Sequence, residues 1–131
     1  MSTYVREKVL RIPLEKLNLQ FTEEEEDDLC WAIEKRFPDI FSYGKEGKFQ
    51  FAPTVSSFID FVLEKEWDAD GEYGKTRSLT ENEKAKYLPK FQQIDPDVNM
   101  DDVRLVAFCW YNGCEAPDYY AETDDPFYQE V

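Results

Sequence analysis

The longest apolar run of the chain lies in its last third, from Asp101 to Asn112 (DDVRLVAFCWYN). Both alternating sets of residues in this run are largely apolar, and many of them are β-branched or aromatic. Such a run, closed by Asn112 and Gly113, is typical of a strand that is covered on both faces. We therefore predict that it forms the central strand of a sheet.

Shorter patterns predict the elements that surround this strand. Tyr4 to Ile12 reads as an opening strand that ends at Pro13. Two short β-type runs between Ile40 and Phe51 flank Gly44-Lys45-Glu46-Gly47, which predicts a hairpin. The segments from Asp68 to Ser78 and from Gln92 to Met100 are rich in turn-forming residues, so we predict loops there.

Three segments have helical patterns. Thr22 to Phe37 begins with the capping-box spacing of Thr22 and Glu25, and an apolar stripe repeats every four residues along it. Thr54 to Trp67 (TVSSFIDFVLEKEW) carries two apolar rows at helical spacing and is predicted to be the main core helix. Thr80 and Glu83 repeat the capping-box spacing and open a helix to about Tyr87, which Pro89 is expected to break or kink.

These elements predict one α+β domain that spans residues 1–131. We expect a small, mostly antiparallel sheet of about four strands, with two or three helices packed on one face. The C-terminal segment, from about residue 113 to 131, is acidic and aromatic and contains no Lys or Arg.

The net charge limits the kinds of partner that the chain can bind. Asp and Glu number 29 against 15 Lys and Arg, so the net charge is −14. A direct nucleic-acid-binding surface and an anionic membrane are therefore unfavourable partners, and a basic protein is the natural one. The first 20 residues alone are net positive, so the negative excess lies elsewhere. High solubility is the simpler explanation of the same charge.

The residues needed for the commonest enzyme chemistry are missing. Histidine is absent, and no nucleophile elbow, phosphate-binding glycine loop or dinucleotide fingerprint occurs. We expect no catalytic residue, no cofactor and no metal ion, and hence no enzyme. Asp95, Asp97, Asn99 and Asp101 alternate as in a calcium-binding loop, but Met100 stands where such a loop needs glycine. A small enzyme that uses carboxylates alone is the alternative, and it predicts a pocket with two acids, one of them protonated near neutral pH.

Cysteine usage and hydropathy predict a cytoplasmic protein. The three cysteines, Cys30, Cys109 and Cys114, have neither a disulfide-framework nor a zinc spacing. No secretory signal or membrane-spanning run is apparent. The oligomeric state is not set by any pattern in the sequence.

Acids and aromatic residues together form the candidate partner-binding surface. The helix dipole explains about three of the six consecutive acids at 23–28, and the others must project into water or towards a cationic partner. Tyr119 and Tyr120 either anchor a partner or fold back onto the sheet. The candidate residues are Glu23, Glu24, Glu25, Glu26, Asp27 and Asp28, followed by Glu115, Asp118, Tyr119, Tyr120, Glu122, Asp124, Asp125, Phe127 and Tyr128.

The overall profile is similar to that of small acidic inhibitors from phages and mobile elements, such as anti-CRISPR or anti-restriction proteins. This likeness rests on size and composition and not on a motif. It implies a non-enzymatic inhibitor of a basic nucleic-acid-binding protein or nuclease, in which rows of carboxylates imitate DNA. Immunity proteins that neutralise nuclease toxins share the same profile and are an alternative. A further alternative is a housekeeping α+β module whose acids are spread evenly over the surface.

Overall fold

The computed structural model describes residues 4–53, 57–67, 73–111, 121–122 and 130–131. Its strands are β1 (Tyr4–Pro13), β2 (Phe49–Pro53), β3 (Ser57–Trp67), β4 (Tyr73–Ser78), β5 (Arg104–Tyr111) and β6 (Ala121–Glu122). Its α-helices are α1 (Glu23–Glu26), α2 (Leu29–Arg36) and α3 (Glu81–Phe91), and short 3-10 turns cover Leu14–Lys16 and Met100–Asp102. One sheet has the order β2-β3-β1-β5-β4-β6.

The α+β class is confirmed, with a sheet larger than predicted. Strands β1 to β5 pair in antiparallel fashion, and the two residues of β6 pair in parallel with β4. The antiparallel part of the sheet thus has five strands, where the sequence predicted about four. The additional strands come from segments that had been predicted as helix and loop.

Strand β5 lies inside the sheet, between β1 and β4, as its apolar run predicted. Leu105 and Ala107 join the main core on one face, and Val106 and Phe108 belong to a smaller cluster. Because neighbouring side chains in a strand point to opposite faces, β5 is buried on both sides. The opening strand, β1, is also confirmed, and its Leu10 lies opposite Leu105.

The main core packs the helices against one face of the sheet. Ile33 of α2 and Phe91 of α3 are both fully buried in it. Phe49 of β2 lies at its centre, with ring centroids 5.0 Å from Phe61 and 5.2 Å from Phe91. Both ring pairs meet edge to face, an arrangement that the aromatic quadrupole favours. Among the described residues, no helix has the length and hydropathy needed to cross a membrane.

The prediction of a core helix at 54–67 is wrong. Residues 54–56 lie outside the described part, and Ser57–Trp67 is the strand β3, between β2 and β1. Ile59 and Phe61 enter the main core, whereas Asp60 points to the opposite face and pairs with Arg11. Burial on both faces places apolar residues at consecutive positions, and this pattern also fits a helix.

The predicted helix at 22–37 is divided. The capping box of Thr22 and Glu25 is present, but it opens only the four-residue α1. The chain then restarts at Asp28, whose side chain accepts a hydrogen bond from the backbone N–H of Trp31 and caps α2. The run of acids therefore spans two helix starts rather than one.

The predicted end of α3 and the predicted 68–78 loop also need correction. The capping box of Thr80 and Glu83 is confirmed, but α3 continues through Pro89 to Phe91. Full burial of Phe91 in the core accounts for the extra turn, because it offsets the hydrogen bond that proline cannot donate. Tyr73–Ser78 is the strand β4, and residues 68–72 lie outside the described part.

The predicted hairpin at 40–51 is replaced by a wider loop. Phe41 and Phe49 form a parallel bridge, and β2 pairs with β3 instead of with the preceding run. Gly44 and Gly47 both have positive φ, at 68° and 79°. The glycines were therefore correctly read as turn residues, but the turn does not join two antiparallel strands.

These two glycines provide a matched pair for a stability test. Alanine at either position adopts a left-handed conformation that costs about 1 kcal/mol. A Cβ at Gly44 would also overlap Lys65 Nζ, which lies 5.3 Å from the ring centroid of Tyr43, whereas the space around Gly47 is open. We expect Gly44→Ala to lower the free energy of unfolding, measured in urea, by more than Gly47→Ala does. Equal losses would show that Lys65 moves away without cost.

Candidate protein-binding surface

Two residues of the acidic run have structural roles. Glu25 Oε1 accepts a hydrogen bond from the Thr22 backbone N–H at 3.0 Å, and its other oxygen accepts one from Arg36 at 3.1 Å. The hydrogen bond from Thr22 lowers the pKa of Glu25 most, and the Arg36 guanidinium lowers it further. Together they outweigh partial burial, which by itself would raise this pKa. Asp28 is the cap of α2.

The other four acids of the run face solvent. Glu23, Glu24, Glu26 and Asp27 are all exposed. Within the part of the chain that the structure describes, none of them forms an ion pair or a side-chain hydrogen bond. These carboxylates do not contribute to the folded core and are available to a partner.

The cations of β1 do not neutralise this run, because they pair with acids of β3. Arg6 lies 3.4 Å from Glu66, Lys8 lies 3.9 Å from Glu64, and Arg11 lies 2.7 Å from Asp60. The positive N-terminal region recognised in the sequence is therefore balanced within the sheet. The negative excess remains on other parts of the surface.

An open cleft of about 810 Å³ lies beside the acidic run. It lies between the end of β1, the first 3-10 turn, the end of α1, the start of α2 and the start of β3. Five of its large apolar side chains are only partly buried, and they are Leu14, Leu19, Phe21, Leu29 and Phe58. Two exposed carboxylates, Glu15 and Glu26, also line it. We call these seven residues the acidic cleft.

Of the cleft residues, the sequence predicted Glu26 as a binding residue, but neither Glu15 nor the apolar side chains. Leu14, Leu19 and Phe21 follow β1 without any regular spacing, and only the structure brings them against Leu29 and Phe58. Trp31 was also missed as an exposed residue, since helical spacing alone does not tell which face of α2 is covered. Its side chain is 54% exposed, and Lys35 Nζ lies 4.6 Å from the centroid of its ring.

Most of the second predicted group lies outside the described residues. Glu115, Asp118, Tyr119, Tyr120, Asp124, Asp125, Phe127 and Tyr128 are all in this category. Glu122 is placed by its backbone in β6, next to Thr76 of β4. The contribution of this segment to a binding surface stays a prediction.

A buried polar network occupies the sheet face opposite the helices. Arg11 Nε and Nη2 donate to the two carboxylate oxygens of Asp60 at 2.7 Å and 2.9 Å. Gln50 Nε2 donates to Glu7 at 3.2 Å and lies 3.5 Å from Asp60, while Gln50 Oε1 accepts from the Gly44 backbone N–H. Since Glu7 and Asp60 are 3% and 0% exposed, these carboxylates have a structural role in holding β1, β2 and β3 together.

The charges of this network affect the pKa of the nearby Tyr43. Burial raises the pKa of its hydroxyl, and the negative charges of Glu7 and Asp60 raise it further. The tyrosine is nevertheless 64% exposed over its whole side chain. It therefore remains neutral at physiological pH and adds no charge to this face.

In the alternating polar run at 95–101, the side-chain oxygens of Asp95, Asn99 and Asp101 accept hydrogen bonds from groups of the protein itself. Asp95 is buried, and its two oxygens accept hydrogen bonds from the backbone N–H groups of Asn18 and Asp97. Asn99 accepts from the Asp101 backbone, and Asp101 accepts from Lys84 Nζ at 2.7 Å. Among the described residues, no group of three or more potential metal ligands is gathered in one place.

The acidic cleft is the feature of the described surface on which a functional hypothesis can be built. The acidic cleft combines apolar contact area with carboxylates that are free to meet cations. Comparison of the chain with protein-family models, with curated proteins and with solved structures found no match. The function proposed below therefore depends on the residues of this chain alone.

Proposed function

We propose that the protein is an acidic, non-enzymatic binding module that acts in the cytoplasm by inhibiting a basic nucleic-acid-binding protein or nuclease. The observation that carries this proposal is the exposure of Glu23, Glu24, Glu26 and Asp27 beside a partly apolar cleft. Exposed carboxylates steer basic partners, and apolar area next to them supplies binding free energy.

The density of charge in this run supports competition with nucleic acid. An α-helix advances about 1.5 Å per residue, and B-DNA presents one charge per roughly 1.7 Å of its axis. Successive acids on α1 therefore have an axial spacing close to that of phosphates on a duplex. A groove lined with Lys and Arg can therefore accept either the acids of α1 or the phosphates of a duplex. The acids between residues 115 and 130 are proposed as a second row.

Capture experiments test this proposal. The test variant, E23Q/E24Q/D27N, removes three carboxylates that make no ion pair or side-chain hydrogen bond with the described residues. The control variant, D39N/E46Q/D97N, removes three exposed carboxylates outside the run. The immobilised proteins are exposed to lysate of the native host at low and high salt, and bound proteins are identified.

We expect the wild type and the control to retain a basic nucleic-acid-handling protein at low salt. The test variant should bind it about tenfold more weakly, since each exposed charge pair contributes up to about 1 kcal/mol and salt screens it. Retention of the same protein by all three would place the binding site elsewhere. Capture of no basic protein by the wild type would overturn the proposal. One cognate nuclease as the sole target would favour the immunity-protein alternative.

A further inference from the structure

We propose that the acidic cleft binds an amphipathic, cationic peptide segment of the partner protein. The apolar side chains of that segment enter the cleft, and its Lys or Arg side chains meet Glu15 and Glu26. This inference rests on the proposed function, because it names the part of a basic partner that is recognised.

The lining of the cleft requires apolar side chains in its occupant. Leu14, Leu19, Phe21 and Leu29 each pack partly against the main core and leave the rest of their surface open. Leu17, which is 6% exposed, closes the floor. The volume of about 810 Å³ is sufficient for several side chains and lies in the range of small binding sites. A cleft of this size, lined by partly exposed Leu and Phe side chains, can accept the apolar side chains of a partner.

The charges around the cleft require a cationic occupant. Glu15 and Glu26 contribute carboxylates to its lining, and four further acids of the 23–28 run are exposed close to Glu26 in the sequence. Arg36, whose guanidinium lies 4.7 Å from the centroid of the Phe21 ring, is paired with Glu25 and does not offset them. An acidic peptide would meet like charges at the rim, which disfavour its binding. A peptide with both an apolar and a basic face satisfies both requirements, as in other groove-binding segments.

Two synthetic peptides test the selectivity of the cleft. The first carries Leu on one helical face and Lys on the other, and the second has Ser in place of every Leu with the same net charge. Binding to the full chain is measured by isothermal titration calorimetry at low salt. We expect the Leu/Lys peptide to bind at least about tenfold more tightly, because transfer of its Leu side chains from water adds to the electrostatic attraction. Equal affinities would overturn the inference, as would an equal affinity for a Leu/Glu peptide.

Variants of the cleft locate the binding site. L14Q and L29Q each remove part of the apolar lining without a change of charge. As a control, W67Q changes a more exposed apolar residue outside the cleft, since Trp67 is 52% exposed. We expect either cleft variant to weaken the Leu/Lys peptide by about fivefold to tenfold, and W67Q to leave its affinity unchanged. Thermal unfolding of each variant confirms that it is folded, and each cleft variant serves as a check on the other. Unchanged affinity in the folded cleft variants would overturn the inference.

The two proposals can fail separately. If E23Q/E24Q/D27N loses the lysate partner while L14Q and L29Q retain it, the acidic run binds the partner and the cleft does not. If the Leu/Lys peptide binds in the cleft but the wild type captures no basic protein, the cleft is a peptide site and the proposed inhibitor function is wrong. Association of the chain with itself, detected by analytical ultracentrifugation and abolished by L29Q, would assign the cleft to a second copy and overturn the inference.

Discussion

Replacement of Asp60 by alanine is expected to lower the free energy of unfolding by about 3–5 kcal/mol, the largest loss that we predict for this fold. The Asp60 side chain is 0% exposed and accepts two hydrogen bonds from the Arg11 guanidinium, which is itself 4% exposed. That guanidinium lies between the rings of Phe58 and Phe108, at 4.8 Å and 5.2 Å from their centroids. Removal of the carboxylate leaves a cation in a site from which water is excluded, and the lost attraction to Asp60 is not offset by solvation.

A double variant separates the cost of burying the Arg11 charge without Asp60 from the net contribution of the pair to stability. In R11M/D60L both charges are replaced by apolar groups of comparable length, an exchange that is often neutral or stabilising in buried pairs. We expect R11M/D60L to be more stable than Asp60→Ala in urea unfolding monitored by circular dichroism. A loss below about 1 kcal/mol in the single variant would show that the site admits water.

The second large effect concerns Glu83 at the start of α3. Its two carboxylate oxygens accept hydrogen bonds from Arg77 at 2.7 Å and 2.9 Å, and from the backbone N–H groups of Thr80 and Val131, both at 2.8 Å. Burial by itself would raise the pKa of Glu83, but these donors outweigh it and lower the pKa to about 2. One carboxylate thus holds together a strand, a helix start and the chain near Val131.

Stability is therefore expected to depend on the ionisation of Glu83. A carboxyl whose pKa is lower in the folded than in the unfolded state stabilises the fold fully above its unfolded value. For a shift from 4.5 to about 2 the contribution is about 3 kcal/mol, and it is lost as the pH falls from about 4.5 towards 2. We expect Glu83→Gln to be less stable than the wild type by about this amount at pH 7.

The difference in the free energy of unfolding between the wild type and Glu83→Gln separates the effect of Glu83 from the titration of the other acids, which the two proteins share. Urea unfolding of both is measured from pH 7 down to pH 2. The gap in the free energy of unfolding should narrow below about pH 4.5, because the protonated wild-type side chain no longer binds Arg77 as an anion. A gap that is constant with pH would contradict the lowered pKa. A wild type that equals Glu83→Gln at pH 7 would show that the network contributes nothing to stability.

Local chemistry allowed much of the fold to be predicted. The apolar run of β5 and the opening strand β1 were recognised because the residue types themselves favour a buried strand. Both capping boxes were found because Thr and Glu three residues apart satisfy each other's backbone, whatever lies around them. These features depend on contacts within a few residues.

Features that depend on distant contacts could not be predicted. In β3, Asp60 interrupts an apolar segment, and only its pairing with Arg11 on β1 explains why a charge is buried there. The acidic cleft has the same origin, because Leu14, Leu29 and Phe58 come from separate parts of the chain. The acidic run was visible in the sequence, but its partition into capping residues and solvent-facing residues follows from the break at Asp28.

The interior position of β1 has a consequence for synthesis on the ribosome. This strand is made first, yet it lies between β3 and β5, with Leu10 opposite both Phe61 and Leu105. Until β5 has emerged, the nascent chain exposes the edge of β1 to which β5 later binds, and open edges of this kind recruit strands from other molecules. Closure of the sheet also joins residues far apart in the chain, which slows folding. The sheet therefore closes only after β5 has been synthesised, and the strong negative charge of the nascent chain helps to keep it apart from other nascent chains until then.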